Sequence, residues 1–202
     1  MYPNTVNILG ITGRAGSGKS TIAKWCRDNL KAQIISIAGP LKLILGDVFG
    51  FAPSQLYGSQ AEKEAPDPRY PLIPREYAQS LGSAIRKHLG EDSWIDKALR
   101  TAAGSQASLV VFDDVRYLNE AAKIKAYGGA TIKLVCPDSK SKADPNHESE
   151  AGVDTIPSNL LRATIDARLS DGSTVLVDAF KRLLEPGGTL RYLTWHTRPQ
   201  VE

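Results

Sequence analysis

The stretch Gly13-Arg14-Ala15-Gly16-Ser17-Gly18-Lys19-Ser20 matches the pattern G-x-x-x-x-G-K-[ST] at every fixed position. Its surroundings are those the pattern requires. Val6 to Thr12 is an apolar strand leading in. A helix from about Gly18 to Leu30 leads out, with Ile22, Cys26 and Leu30 at i, i+4 and i+8 on one face. Glycines let such a loop bend until successive backbone N–H groups converge, and the following helix adds the positive end of its dipole. Convergent N–H groups bind phosphate, so Gly13 through Thr21 reads as a nucleoside triphosphate site. Lys19 supplies a mobile cation for the β- and γ-phosphates. The Ser20 hydroxyl suits Mg²⁺, and Thr21 beside it is the poorer ligand.

Outward from this loop, short apolar runs alternate with amphipathic segments over 202 residues, with no internal repeat. That pattern predicts a three-layer α/β/α domain with a mostly parallel sheet. Strands are expected at Ala32–Ile37, Leu109–Asp113, Ala130–Cys136 and about 162–169. A helix opens at Pro40, with Leu41, Ile44, Leu45 and Val48 as its buried stripe and Gly50 as its stop. Further helices are expected at about 74–89, 92–103, 119–127 and from Ser173 onward. Residues 50 to 74 hold Pro53, Pro66, Pro68, Pro71 and Pro74 with little periodicity, and read as a long mobile insertion. Residues 137–146 read as a Lys-rich loop.

Composition removes several classes. The net charge is +3, with the charges dispersed along the chain, so no nucleic-acid partner is expected. Cys26 and Cys136 have no metal spacing and form no disulfide framework. No apolar run reaches the ~18 residues of a membrane span, and the first residues lack the features of a signal peptide. The expectation is a cytoplasmic protein. The aromatic tail with Tyr192, Leu193 and Trp195 is either a homodimer contact or a segment that folds back.

The second half of a phosphate-loop site is an acid at the end of a neighbouring strand. Leu109-Val110-Val111-Phe112-Asp113-Asp114 offers two. Either acid could hold Mg²⁺ through water or position the acceptor: Asp113 is taken as the metal partner of Ser20 and Asp114 as the residue for transfer, with their order about the metal left open by the sequence. The Asn-Lys-x-Asp guanine reader of GTPases and the Leu-Ser-Gly-Gly-Gln signature of transport ATPases are both absent. What remains is a small-molecule kinase: a single domain over 1–202, with an acceptor-binding insert at about 40–103 and a lid at about 137–150. In the helix from Pro74, Arg75, Gln79, Gly82 and Arg86 share a stripe roughly 60° wide at ~100° per residue. Tyr77, Leu81 and Ile85 form a separate stripe. Two guanidinium groups flanking a small residue suit a bound phosphate; a solvated polar face gives the same pattern.

Several segments together carry a resemblance. They are Gly10-Ile11-Thr12-Gly13, Gly39-Pro40-Leu41-Lys42, Arg75…Gln79-Ser80-Leu81-Gly82…Arg86…Trp94, Asp114-Val115-Arg116-Tyr117-Leu118-Asn119-Glu120 and His147-Glu148-Ser149-Glu150, with a weaker Asp171-Gly172-Ser173. The chain resembles the tailed-phage deoxynucleoside monophosphate kinases, within the P-loop nucleoside monophosphate kinase-like family. The resemblance implies transfer of the γ-phosphoryl group of ATP, with Mg²⁺, to the 5′-phosphate of a deoxynucleoside monophosphate, in a host cytoplasm if the chain is phage-encoded. It implies that Lys19, Arg116, Asp114 and Arg86 act in transfer. Lys42, Arg75, Gln79, Gly82 and His147 would join Arg86, Asp114 and Arg116 around the acceptor. Lys63 and Tyr70 are weaker base contacts. The lid carries Lys140 and Lys142 but no arginine, and Arg14 or Arg162 could substitute. The alternatives are another small-molecule kinase (of dephospho-coenzyme A or a nucleoside), a kinase of a modified base in DNA, and an ATP-binding module without catalysis.

Overall fold

Five apolar runs lie side by side as β1 (Asn7–Thr12), β2 (Gln33–Ile35), β3 (Leu109–Val115), β4 (Ala130–Val135) and β5 (Ala163–Asp166). All pairs are parallel, in the order β2-β3-β1-β4-β5. The structure, a computed structural model, describes residues 6–136, 148–166 and 173–192. Parallel neighbours need crossover connections, and these carry the helices. β1 is central and covered on both faces, so its sequence is a continuous apolar run rather than an alternating one. Leu9 and Ile11 pack with Ile22, Ala23 and Cys26 of α1 (Lys19–Leu30) and with Leu176 and Phe180 of α9 (Ser173–Leu184). On the opposite face Gly10 lies under α7 (Leu118–Ala126), where a Cβ would stand 2.8 Å from Ile124 Cδ1. Helices on both faces of one sheet make the expected three-layer architecture, with the sheet wholly parallel.

The chain divides into two compact units, Met1–Ser36 with Ala98–Glu202, and Ile37–Lys97. The first holds the whole sheet. The second is helical: α2 (Gly39–Phe49), α3 (Pro53–Tyr57), α4 (Gln60–Glu64), α5 (Pro74–Leu89) and the start of α6 (Ser93–Ala103). Its core is Leu41, Leu45, Phe51 and Leu56, with Phe49, Tyr70, Tyr77, Leu81 and Trp94 packed against them.

The structure departs from the sequence pattern at four places. The stretch 50–74 is not structureless, since it carries α3 and α4. Pro53 opens α3, and the Ser59 hydroxyl caps α4 by accepting from Glu62 N. Asp67, buried, accepts from Arg69 N, Nε and NH2 and from Gln55 Nε2. These bonds hold its carboxyl below the usual carboxylate range. On α2 only Leu41 and Leu45 are buried; Ile44 is 37% and Val48 68% exposed. The contact stripe is narrower than the apolar stripe because this small unit has little core to offer. On α5 the polar and apolar stripes are both half-buried, and solvent takes Glu76, Ser80, Ala84 and Lys87 instead. β3 contains Asp113 as expected and runs on through Asp114 to Val115, two residues past its expected end.

Candidate active site

The phosphate loop closes as its glycines dictate. Gly13, Gly16 and Gly18 all have positive φ, at 152°, 79° and 89°. Gly13 tolerates no side chain: a Cβ would approach Leu134 O and Ser17 Oγ to 2.5 Å. Gly18 caps α1, and its carbonyl accepts the first helical bonds, from Thr21 N and Ile22 N. Ser20 is exposed and Thr21 half-buried in that first turn.

Lys19 is only 9% exposed and donates to the loop carbonyls of Gly13 (2.7 Å) and Arg14 (2.8 Å). Burial, and then the nearby Arg116 cation, lower its pKa from 10.5 to about 7. Glu150, Asp114 and Asp113 act in the opposite direction. Lys19, Arg116, Glu150, Asp114 and Asp113 thus act on one another electrostatically.

The acids owe their placement to a break in register. Gly10 pairs with Phe112, but Thr12 pairs with Val115, so β3 carries one extra residue opposite β1. Such a bulge redirects side chains next to a site. Asp113 and Asp114 are both half-buried, and Asp114 Oδ2 accepts from the Ser36 hydroxyl at 2.5 Å. Just beyond, buried Glu120 accepts from Arg116 N (2.6 Å) and Tyr117 N (3.1 Å), which fixes the strand exit. Glu150 accepts from Arg116 NH1 at 2.7 Å and from Ala15 N at 3.0 Å. Asp154, one turn on in α8 (Glu148–Thr155), takes Arg14 NH2 at 2.6 Å and Lys133 Nζ at 3.2 Å. Burial pushes the Asp154 carboxyl up, but these cations outweigh it and hold it below its ordinary value.

The predicted acceptor residues lie in the second unit. Arg75 Nε stands 3.3 Å from Glu64 Oε1, and Arg86 NH1 donates to Glu91 O at 2.8 Å. Gln79 is half-buried on the same helix. A Cβ on Gly82 would lie 3.4 Å from Leu41 Cδ2, and Trp94 Nε1 donates to Gly82 O at 3.3 Å. Lys42 places its ammonium 4.9 Å from the centre of the Tyr57 ring. Tyr70 is engaged inside its own unit: its ring packs on Phe49, Phe51 and Tyr77, and its hydroxyl donates to Phe49 O. Arg162 donates to Thr189 O and lies over Tyr192. His147, Leu193, Trp195 and the lid from 137 to 147 lie outside the described residues.

Sequence reasoning missed Ser36 and assigned no role to Glu120 or Glu150. Glu120 had a local signal, as the third residue of a helix with its carboxylate reaching back to the helix start. Ser36 is 78 residues from Asp114 and Glu150 is 135 from Ala15, and no local pattern links such pairs.

No protein-family model matches the chain. It is 32% identical over 164 residues to an Acanthamoeba polyphaga mimivirus protein assigned as a deoxynucleotide monophosphate kinase, spanning 75% of this chain and 84% of that one. The chain belongs to the deoxynucleotide monophosphate kinase family. In fold it is similar to a crystal structure assigned as a kinase from Chloroflexus aurantiacus, with a TM-score of 0.50 and 16% identity over 90% of this chain and 97% of that one. Membership of that family makes the protein a kinase, a phosphotransferase. No helix among the described residues of the kinase is long and apolar enough to cross a membrane.

Proposed function

We propose that the kinase transfers the γ-phosphoryl group of ATP to the 5′-phosphate of a deoxynucleoside monophosphate, giving ADP and a deoxynucleoside diphosphate. The observation that carries this reading is the convergence of two phosphate-seeking cations, Lys19 and Arg116, on one glycine loop in a chain of this family. The transferring phosphoryl passes through a loose state with charge spread over its oxygens, so position and positive charge do most of the work. The loop N–H groups and Lys19 hold the donor phosphates. Arg116, its backbone fixed by Glu120, meets the charge on the transferring group. Arg75 and Arg86 of α5 hold the acceptor phosphate, with Gln79 and Lys42 beside them and Gly82 leaving room on the helix surface. The acceptor's 5′-phosphate is already anionic at neutral pH, so no general base is needed, and Asp114 orients rather than deprotonates.

Mg²⁺ fits the residues present. Among the described residues no group of three His, Cys, Asp or Glu side chains could hold a metal by itself. A hydroxyl at Ser20 with a carboxylate at Asp113 suits a hard cation that takes its remaining ligands from water and phosphate. Bound there, Mg²⁺ would neutralise charge on the donor phosphates.

The test is an acceptor screen by coupled ADP release, with ATP and, in turn, each deoxynucleoside monophosphate, nucleosides, dephospho-coenzyme A and duplex DNA. The reading requires turnover with one or more monophosphates. Turnover confined to another class would replace it with that class.

A further inference from the structure

Glu150 has a place in the site that its sequence position does not announce. Its side chain is 5% exposed, yet it is charged and lies against two groups made to bind phosphate. One carboxylate oxygen accepts from the Arg116 guanidinium (2.7 Å) and the other from the loop amide of Ala15 (3.0 Å). Arg116 is then held at both ends, its backbone N–H by Glu120 and its guanidinium by Glu150. A long arginine side chain at a strand exit samples many rotamers, and ordering it opposes binding or transfer unless it is fixed beforehand. A buried carboxylate supplies that fixation and leaves most of the guanidinium's five donors for an anion. It also favours the charged form of Lys19, which the nearby Arg116 disfavours.

We propose that Glu150 is a positioning residue for phosphoryl transfer: it fixes the Arg116 guanidinium to the phosphate loop through Ala15 N, so that the rate of transfer, more than donor binding, depends on it. This rests on the phosphotransfer reading above, and the experiment separates the two. Arg116→Ala removes one donor to the developing charge and should lower kcat about 100-fold. Glu150→Gln keeps size and one oxygen but loses the charge that holds Arg116; it should lower kcat about 10-fold or more, with the ATP KM within about threefold of wild type. If Glu150 acts through Arg116, the double variant is no slower than Arg116→Ala, to within about twofold. A purely structural Glu150 would instead give multiplied losses, near 1,000-fold in the double variant, and that overturns the proposal. So does a fall in ATP KM with unchanged kcat, which would make the carboxylate a competitor of the donor phosphate.

Should Glu150→Gln fail to fold, Glu150→Asp, which keeps the charge on a stem shorter by one methylene, must show the same loss of kcat with ATP KM retained. Wild-type activity with a different acceptor class overturns the deoxynucleotide reading only, and the same cycle is then run on that acceptor. No transfer to any acceptor overturns both.

Discussion

The buried lysine of the phosphate loop should make nucleotide binding a proton-linked event. In the free kinase Lys19 has a pKa of about 7 because burial and Arg116 disfavour its charge. A bound triphosphate brings several negative charges to the ammonium and restores it toward its ordinary range near 10.4. Between those values binding takes up a proton. At pH 8 free Lys19 is about one-tenth protonated, so binding should take up about 0.9 proton, and affinity should fall about tenfold from pH 8 to 9, or ~1.4 kcal/mol. Isothermal titration calorimetry with ATP, in two buffers of different ionisation enthalpy, measures uptake and affinity together. Lys19→Arg is the control, because a guanidinium stays charged throughout and its affinity should be flat over that range. An uptake below about 0.2 proton at pH 8, with wild-type affinity as flat as the variant's, would refute the reasoning. The sign for stability follows from the same shift. Between about pH 7 and 10.5 the unfolded chain binds the Lys19 proton and the folded chain does not, so this group makes the nucleotide-free kinase more stable as pH rises through that window.

Other outcomes are expected. Arg86→Ala should raise the KM for the accepted monophosphate by about tenfold or more while leaving ATP affinity intact; unchanged kinetics with every acceptor would remove Arg86 from the acceptor site. Gly82→Ala replaces a helix-interior glycine where the new methyl meets only Leu41 at ordinary contact distance. It should therefore raise thermal stability, by about 0.5–1 kcal/mol, and raise the acceptor KM. Asp67→Asn breaks the carboxylate link among Arg69, Gln55 and the backbone. Melting should occur several degrees lower, and limited proteolysis should cut first within residues 50–74. Cys26 is fully buried with its thiol pushed up to about 12, so a thiol reagent should modify it only after denaturation, whereas half-buried Cys136 reacts in the native protein.

What could be read from the sequence was whatever local chemistry decides. β1, the loop and α1 were readable because apolar run, glycine spacing and helix period agree. α5 was legible to the residue, with Pro74 at its first position and Gly90 just past its end. The signs of α3 and α4 were present too, in Pro53 and in the capping pair Ser59 and Glu62. They were outweighed by five prolines, because such short helices stand only on their packing around Phe51 and Leu56 and on the Asp67 link. Ile44 and Val48 were misplaced because an apolar stripe states what a helix could bury, not how much partner surface exists. The bulge at Asp113 and Asp114 depends on pairing with β1 and leaves no mark in either strand alone. α5 shows its arginines in sequence, but their ties to Glu64 and Glu91 come from folding.

The central claim is that a deoxynucleoside monophosphate receives the γ-phosphoryl group of ATP, and it is tested most directly by identifying the products. Wild-type kinase incubated with Mg²⁺, ATP and each monophosphate, and resolved by anion-exchange chromatography, should yield ADP and a deoxynucleoside diphosphate in equal amounts with at least one of them. Lys19→Ala should yield neither. ADP without the diphosphate, or diphosphate formed equally well by Lys19→Ala, would contradict it.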